Sequence, residues 1–305
     1  MNNWEHIPPV RLRLAPGPLE STLSVWPTSP GTALWRAIEV SLWHQQVLLP
    51  PIIDLGCGDG RFAQLVFSAP TQLTGVDLDQ RSLRAAARSG LYRDLVHDDL
   101  HDLSQFADGM FASAVSNSVF EHVDSPPLAF QAIYRVLRPG GRLFLTVNTS
   151  RLSNMLLGTT FARRAGCLGL ASRYVDHTNH RYHHVSLYAD SKWKELLKNV
   201  GFVVEQAIPY CSAATVNAWN SWEEVLHWGI GPFSLQRALG KLPGRWKQLK
   251  IRLLYPHLKS LFETDAENAQ RSGGACMFYI ARKTSSAIAD QIEVGDQDSA
   301  PNDSQ

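Results

Sequence analysis

Glycines and acidic residues near Leu55 have the composition of a ligand-binding turn. The segment Asp54-Leu55-Gly56-Cys57-Gly58-Asp59-Gly60 follows a short apolar run that predicts a buried β-strand. Glycines between a strand and a helix let the backbone approach a ligand closely. Their spacing here is G-x-G-x-G, and Arg61 stands where a dinucleotide site has its third glycine. A tight turn without a ligand is the alternative that this pattern leaves open.

The charge of Asp54 narrows the class of ligand. A carboxylate two residues before Gly56 repels a pyrophosphate and attracts an ammonium group. Asp77 ends the next predicted strand, where a carboxylate can accept both hydroxyl hydrogens of a ribose. S-adenosylmethionine carries a ribose, an ammonium and a sulfonium group, and no phosphate. It therefore fits better than a nicotinamide dinucleotide, although the ribose contact alone does not separate the two.

Residues 51–150 alternate between strand and helix patterns. Helical stretches, such as 127–137 with apolar residues at i, i+3, i+4, i+7 and i+8, separate short apolar runs. This alternation predicts a parallel sheet covered by helices on both faces. The runs predicted as strands are 52–55, 73–77, 95–97, 111–116, 142–147, 202–207 and 276–281. Residues 151–190 look irregular, and a helix that Ser191 caps is expected to end at Gly201.

At this point the sequence resembles a known family, the class I S-adenosylmethionine-dependent methyltransferases, in the branch often labelled methyltransferase type 11. The resemblance covers residues 50–150 and 190–207, and its motifs occur in the usual order. The motifs are Asp54-Leu55-Gly56-Cys57-Gly58-Asp59-Gly60, Gly75-Val76-Asp77-Leu78-Asp79, Ser116-Asn117-Ser118-Val119-Phe120-Glu121-His122-Val123 and Leu137-Arg138-Pro139-Gly140-Gly141-Arg142-Leu143. The resemblance implies an α/β, Rossmann-like, doubly wound sheet of seven strands whose last strand is antiparallel. One departure is Ala112, where the family usually has a structural Asp.

The resemblance also implies roles for particular residues. Asp77 resembles the ribose ligand, and Leu78 resembles the residue that lies against adenine. Asp99 resembles the acid that accepts from the adenine amino group, with Asp98 as the neighbouring alternative. The remaining predicted cofactor contacts are Asp54, Gly56, Cys57 and Gly58 under the methionine part, Leu100 beside Asp99, and Ser116 and Asn117 beside the methyl donor.

Methyl transfer needs no covalent residue, but a general base helps when the nucleophile is a hydroxyl. Histidine is the usual base near pH 7. The candidate bases are His122, which has the alternative role of holding a helix start, and His184. His184 closes a group with His177, His180 and His183, but no cysteine or carboxylate pattern completes a ligand set, so no metal site is expected.

Three segments are expected outside this core, and one segment within the core is expected to form a lid. Residues 1–50 are expected to form an N-terminal cap, and 151–190 a lid over the acceptor site. The core itself is assigned to 51–208 and 275–283, interrupted by a helical insertion at 209–274. Residues 284–305 carry five acidic and no basic residues, which predicts a disordered acidic tail.

The insertion contains a strongly basic stretch. Residues 231–262 hold seven basic and no acidic residues, with Trp and Leu among them. Such a stretch lies on an anionic membrane as a peripheral contact, binds an acidic or lipid-linked acceptor, or forms a lid with a solvated basic face. Pro256 is expected to bend or end any helix there.

Composition excludes several other classes. Lys and Arg total 29 against 28 Asp and Glu, so a net charge of +1 gives no field that favours nucleic acid. Four scattered cysteines and no apolar run of spanning length favour a cytoplasmic protein. The sequence therefore predicts an S-adenosylmethionine-dependent methyltransferase of a small or amphiphilic acceptor, methylated on oxygen. The alternative is a catalytically silent scaffold that acts through its basic helical insertion.

Overall fold

A computed structural model describes residues 17–67, 72–227 and 244–284, with only the backbone of His227 and of 244–251. Seven strands form one sheet over these ranges. Strands β1, β2 and β4 are almost entirely buried, as expected for parallel strands covered on both faces. The strands are β1 (Ile52–Leu55), β2 (Leu73–Asp77), β3 (Asp94–His97), β4 (Phe111–Asn117), β5 (Leu137–Asn148), β6 (Phe202–Tyr210) and β7 (Cys276–Lys283).

The order of strands across the sheet is β3-β2-β1-β4-β5-β7-β6. The first five pair in parallel, and β7 runs antiparallel to both β5 and β6. The chain order reverses between β1 and β4, which is where doubly wound sheets bind ligands at their carboxyl ends. The predicted fold class, including the antiparallel last strand, is confirmed.

Helices cover both faces of the sheet. Alternate residues of a strand point to opposite faces, so Ile52 packs with the N-terminal helices while Ile53 packs on the other side. The first seven helices are α1 (Pro18–Val25), α2 (Pro30–Trp43), α3 (Arg61–Val66), α4 (Gln80–Ala86), α5 (Pro126–Val136), α6 (Arg151–Met155) and α7 (Leu157–Arg164). They are followed by α8 (Leu168–Tyr182), α9 (Asp190–Val200), α10 (Ala213–His227) and α11 (Gly244–Ser272).

The N-terminal helix α2 is buried against the sheet, which agrees with a cap. Its Trp43 ring packs on Phe278 of β7 with ring centroids 5.1 Å apart. Gly31 lets α2 approach α10 closely, because a Cβ there would lie 2.8 Å from the Cα of Trp219. The cap and the insertion therefore meet above the same edge of the sheet.

Two local expectations were wrong. Residues 151–190 were expected to be irregular, but α6, α7 and α8 occupy most of this segment. Several large apolar residues of α7 and α8, among them Phe161, Leu168 and Leu170, are exposed, so the positions of apolar residues in the sequence did not mark a buried helix face. The helix that Ser191 was expected to cap begins at Asp190, with Ala189 at its N-cap, so Ser191 lies within its first turn. Helix α11 continues through Pro256, so this proline does not end the helix, and the expected bend stays a prediction.

Other predictions lie outside the described residues. Of the predicted acidic tail, only Thr284 is among the described residues. Of the basic stretch, residues 231–243 lie outside the described residues. Peripheral membrane contact through 231–262 stays a prediction, with exposed Arg252 as one of its described members. Over the described ranges no helix is both long and apolar enough to cross a bilayer.

Candidate active site

The glycine turn lies between β1 and α3, at the carboxyl edge of the sheet. Gly56 and Gly58 have φ of +71° and +56°, a region that favours glycine. A Cβ at Gly56 would lie 2.6 Å from Val119, whereas a Cβ at Gly58 would meet nothing within 4 Å. Gly56 is thus required by packing within the protein, and Gly58 leaves its backbone open to a ligand.

Asp77 is held at the end of β2 by the same turn. Its Oδ2 accepts a hydrogen bond from the Gly58 amide at 2.8 Å, and its Oδ1 accepts from the Asp79 amide at 2.8 Å. These bonds fix the carboxylate beside the open face of the turn. Each oxygen keeps a further lone pair, so both can still accept from a ribose.

Asp54 faces the interior of the turn. Its Oδ2 accepts from the Tyr92 hydroxyl at 2.7 Å. The pKa of Asp54 is raised to about 7, mainly by burial; the Tyr92 hydrogen bond opposes this rise and the nearby charge of Asp77 adds to it. A carboxyl held in this state gains a favourable partner when a cationic group enters. Tyr92 was not singled out from the sequence, because its role depends on β3 lying beside β2.

At the predicted adenine end, the structure favours Asp98, the alternative residue, over Asp99. Leu78 is 62% exposed, which leaves its side chain free to pack against the adenine ring of a bound cofactor. Asp99 is already bonded to the ring of His101 at 2.7 Å, whereas the Oδ2 of Asp98 is buried without a partner. An unpaired buried oxygen is costly, so Asp98 is better placed than Asp99 to accept from an amino group. The side chain of Leu100 packs in the core, which leaves only its backbone for a ligand.

Ser116 and Asn117 lie at the end of β4, but both side chains are engaged within the protein. The Ser116 hydroxyl is buried and donates to the Leu55 carbonyl at 3.1 Å. Asn117 accepts from the Trp43 indole at 2.8 Å and donates to Glu39 at 3.0 Å. Their roles as cofactor ligands stay predictions, and the structure shows that they also connect β4 to β1 and to α2.

Glu39 is the centre of a buried polar network that the sequence did not reveal. The side chain is fully buried on α2 and forms an ion pair with Arg36 at 2.6 Å. A carboxylate with so many donors is compensated for its burial. The donors to its two oxygens are Trp35, Arg36, Asn117, Ser118 and Tyr210. The network joins the cap to the ends of β4 and β6.

A cavity of about 170 Å³ lies beside this network, over the carboxyl ends of β4 and β5. One wall is a continuous series of rings in which neighbouring centroids are 5.1–5.9 Å apart. In order these rings belong to Trp35, Trp219, Tyr182, His184 and His122. Ser118 lines this cavity, and its neighbour Asn117 lines a narrow cleft with Asp54. The cleft and the cavity thus have adjacent residues of the chain in their walls at the end of β4.

Both predicted histidine bases line this cavity. The Nδ1 of His122 lies 3.1 Å from the His183 carbonyl, so Nδ1 carries the hydrogen and Nε2 is the basic nitrogen. The Nε2 of His184 lies 3.4 Å from the Asn148 amide nitrogen. Burial lowers the pKa of His122, and burial together with His122 lowers the pKa of His184 to about 4. His184 is thus a weak base with its acceptor nitrogen occupied.

Glu121 also lines the cavity and was not among the predicted bases. Its side chain is fully buried, and neither carboxyl oxygen makes a hydrogen bond of normal geometry. Burial raises its pKa to about 8. The only sequence signal was its place beside His122 in the Glu-His-Val motif. Among the residues that the structure describes, no three His, Cys, Asp or Glu side chains form a metal-binding group.

Comparison with known protein families concerns part of the core. Residues 53–145 match the model of a methyltransferase domain. The match, the strand order and the glycine turn agree with the resemblance of this part of the chain to the class I S-adenosylmethionine-dependent methyltransferases. The cofactor of that family is S-adenosylmethionine. The residues present fit it, since Gly58 is open, Asp98 has an unpaired oxygen and Asp54 can face an ammonium group.

Among individual proteins, the chain is similar to two ubiquinone biosynthesis O-methyltransferases. That of Idiomarina loihiensis is 29% identical over 115 residues, which are 36% of this chain and 47% of the relative. That of Xanthomonas oryzae is 30% identical over 99 residues, which are 31% of this chain and 41% of the relative. The chain thus spans less than half the length of these two relatives.

Solved structures show weaker likeness. A phosphoethanolamine N-methyltransferase of Haemonchus contortus is 18% identical with a TM-score of 0.46, over 77% of this chain and 48% of that one. A methyltransferase of Mesorhizobium loti is 16% identical with a TM-score of 0.40, over 76% and 90% of the two chains.

Proposed function

We propose that this protein transfers a methyl group from S-adenosylmethionine to a hydroxyl oxygen of a small or amphiphilic acceptor. The observation that carries the proposal is the adjacency of Asn117 and Ser118 at the end of β4, because Asn117 lines the cleft beside Asp54 and Ser118 lines the cavity with the aromatic rings. The names of the similar O-methyltransferases support oxygen as the methylated atom. The aromatic rings along the cavity wall favour an acceptor with an apolar part that packs against them.

The residues of the chain have separate tasks in this reaction. Asp77 holds the ribose, Asp54 attracts the ammonium group, and Asp98 accepts from the adenine amino group. Helices α2, α8 and α10 cover the cavity and exclude water, which favours an aligned nucleophile. Bound S-adenosylmethionine supplies an activated methyl group on a sulfonium.

Calorimetric titration with S-adenosylhomocysteine, beside NAD and NADP, tests the cofactor site. We expect one molecule of S-adenosylhomocysteine to bind per chain and neither dinucleotide to bind. Gly58→Val should abolish binding, because its side chain fills the open face of the turn. Gly140→Val is a matched control, since Gly140 also has positive φ and open space but lies at the start of β5.

The outcomes separate the alternatives. Labelled methyl transfer into hydroxyl compounds of a cell extract would support the proposal. Cofactor binding without any transfer would instead favour the silent scaffold. Binding of NAD or NADP alone, or equal loss of affinity in the two valine variants, would contradict the assignment of the turn.

A further inference from the structure

The buried carboxyl of Glu121 makes no hydrogen bond of normal geometry, although the backbone amides of Glu121 and Asn148 lower its pKa against the larger effect of burial. Its backbone carbonyl accepts from the Val185 and Ser186 amides at 2.8 and 3.0 Å, so the backbone anchors the segment after α8. The side chain contributes no hydrogen bond to this anchor. A fully buried carboxyl without partners costs stability, and a leucine would fill the same space at lower cost. The side chain nevertheless faces a cavity, where a ligand can supply the missing partner.

The two histidines are poorer proton acceptors than this carboxyl. The Nε2 of His184 is occupied by Asn148, and its Nδ1 is buried without a partner. His122 has a free Nε2, but burial lowers the pKa of its ring. A general base works best when its pKa lies near the working pH, which holds for Glu121 at about 8.

The charges around Glu121 are otherwise balanced. Arg36 is paired with Glu39 at 2.6 Å, so α2 brings a neutral pair to the cavity. A new positive charge close to the cavity would therefore act strongly on Glu121 and favour its ionised form. The titratable groups that face Glu121 are Arg36 and Glu39 of α2, Tyr210 of β6, Cys276 of β7, and His122 and His184 beside it.

We propose that Glu121 accepts the proton of the acceptor hydroxyl, and that the sulfonium charge of the cofactor controls when Glu121 is ionised. This inference rests on the proposed function. With the sulfonium present, Glu121 is an ionised base. The acceptor oxygen forms its bond to the methyl carbon, the carbon–sulfur bond breaks with its electron pair left on sulfur, and the hydroxyl proton moves to Glu121. Because the positive charge is lost in the same step, the protonated carboxyl becomes the stable form.

Proton release on cofactor binding tests this coupling without an acceptor. Titrations near pH 7 in two buffers of different ionisation enthalpy count the protons released. We expect wild-type protein to release more protons with S-adenosylmethionine than with S-adenosylhomocysteine, by up to about one per chain. The second compound has the same ammonium and adenosine groups but no sulfonium charge, so it leaves Glu121 protonated.

Glu121→Gln should remove this difference while S-adenosylhomocysteine still binds. Glu224→Gln is a matched control, since Glu224 lies on α10 and pairs with Arg181, and it should keep the difference. Glu121→Leu is a second variant of similar volume, for which the difference should also vanish.

Two results would overturn the inference. One is an equal proton count for the two compounds in the wild-type protein, and the other is a difference that persists in both Glu121 variants. Failure of both compounds to bind would instead overturn the proposed function.

Discussion

Several carboxyl groups in this site are buried, which lowers the stability of the unliganded protein and would favour the binding of a ligand that supplies a partner. Asp54 and Glu121 are buried carboxyls, and burial raises the pKa of each, to about 7 and about 8. Asp98 keeps a buried oxygen without a partner. Natural proteins keep destabilising groups of this kind at sites where function requires them. These residues lie at the two parts of the predicted site, the cofactor turn and the cavity.

The first prediction concerns Asp54 and stability. Its pKa is higher in the folded protein than in the unfolded chain, so the folded state binds more protons between about pH 4 and 7 and stability falls as pH rises through this range. Asp54→Asn removes the buried charge. Denaturant unfolding at pH 8 should therefore show a stabilisation of about 2–4 kcal/mol, which shrinks toward pH 4.

The same variant should lose affinity for S-adenosylhomocysteine at neutral pH, because the ammonium group loses its partner. In the wild-type protein, affinity should weaken about tenfold per pH unit well below pH 7, and Asp54→Asn should flatten this dependence. Equal stability at pH 8, or the same pH dependence of binding in both proteins, would show that Asp54 is not a buried charged group.

At the scale of elements, helix α2 is the part that completes the site. The motifs of the resemblance start after it, yet its Arg36 and Trp35 line the cavity, and its Glu39 bonds to both β4 and β6. A helix that only covered the core would need no buried carboxylate. The network instead fixes α2 at one distance from the end of β4.

The second prediction tests this connection. Glu39→Ala leaves Arg36 uncompensated and removes the acceptor of five donors, so it should destabilise the fold by about 3–5 kcal/mol in denaturant unfolding. Glu39→Gln keeps the shape and one acceptor oxygen, and it should cost less. A loss below about 1 kcal/mol for Glu39→Ala would mean that the network contributes little.

At the scale of the whole molecule, residues far apart in the chain connect the two helices of the insertion to each other and to the core. Asp265 of α11 is buried and accepts from the Cys211 and Ser212 amides at 2.9 and 2.7 Å, at the start of α10. Helix α10 in turn packs on α2. Over the described residues, the cap, the insertion and the sheet thus pack together through both apolar contacts and buried hydrogen bonds.

The third prediction concerns the acidic tail, which lies outside the described residues apart from its first residue. Deleting 284–305 should leave the melting temperature nearly unchanged, because the segment has few large apolar residues to bury. Differential scanning calorimetry of the full and shortened chains measures this. A large drop would show that the tail packs on the rest of the protein.

The sequence by itself determined the sheet, the glycine turn and the family of the core. These features are local, because strand and helix periods and a strand–turn–helix glycine pattern involve residues close together in the chain. It did not determine Tyr92, Glu39 or Glu121 as parts of the site, and it left the choice between Asp98 and Asp99 open. Their importance depends on which oxygens remain unpaired and which charges are buried together, and only the tertiary structure decides this, since burial and pairing arise between elements far apart in the chain.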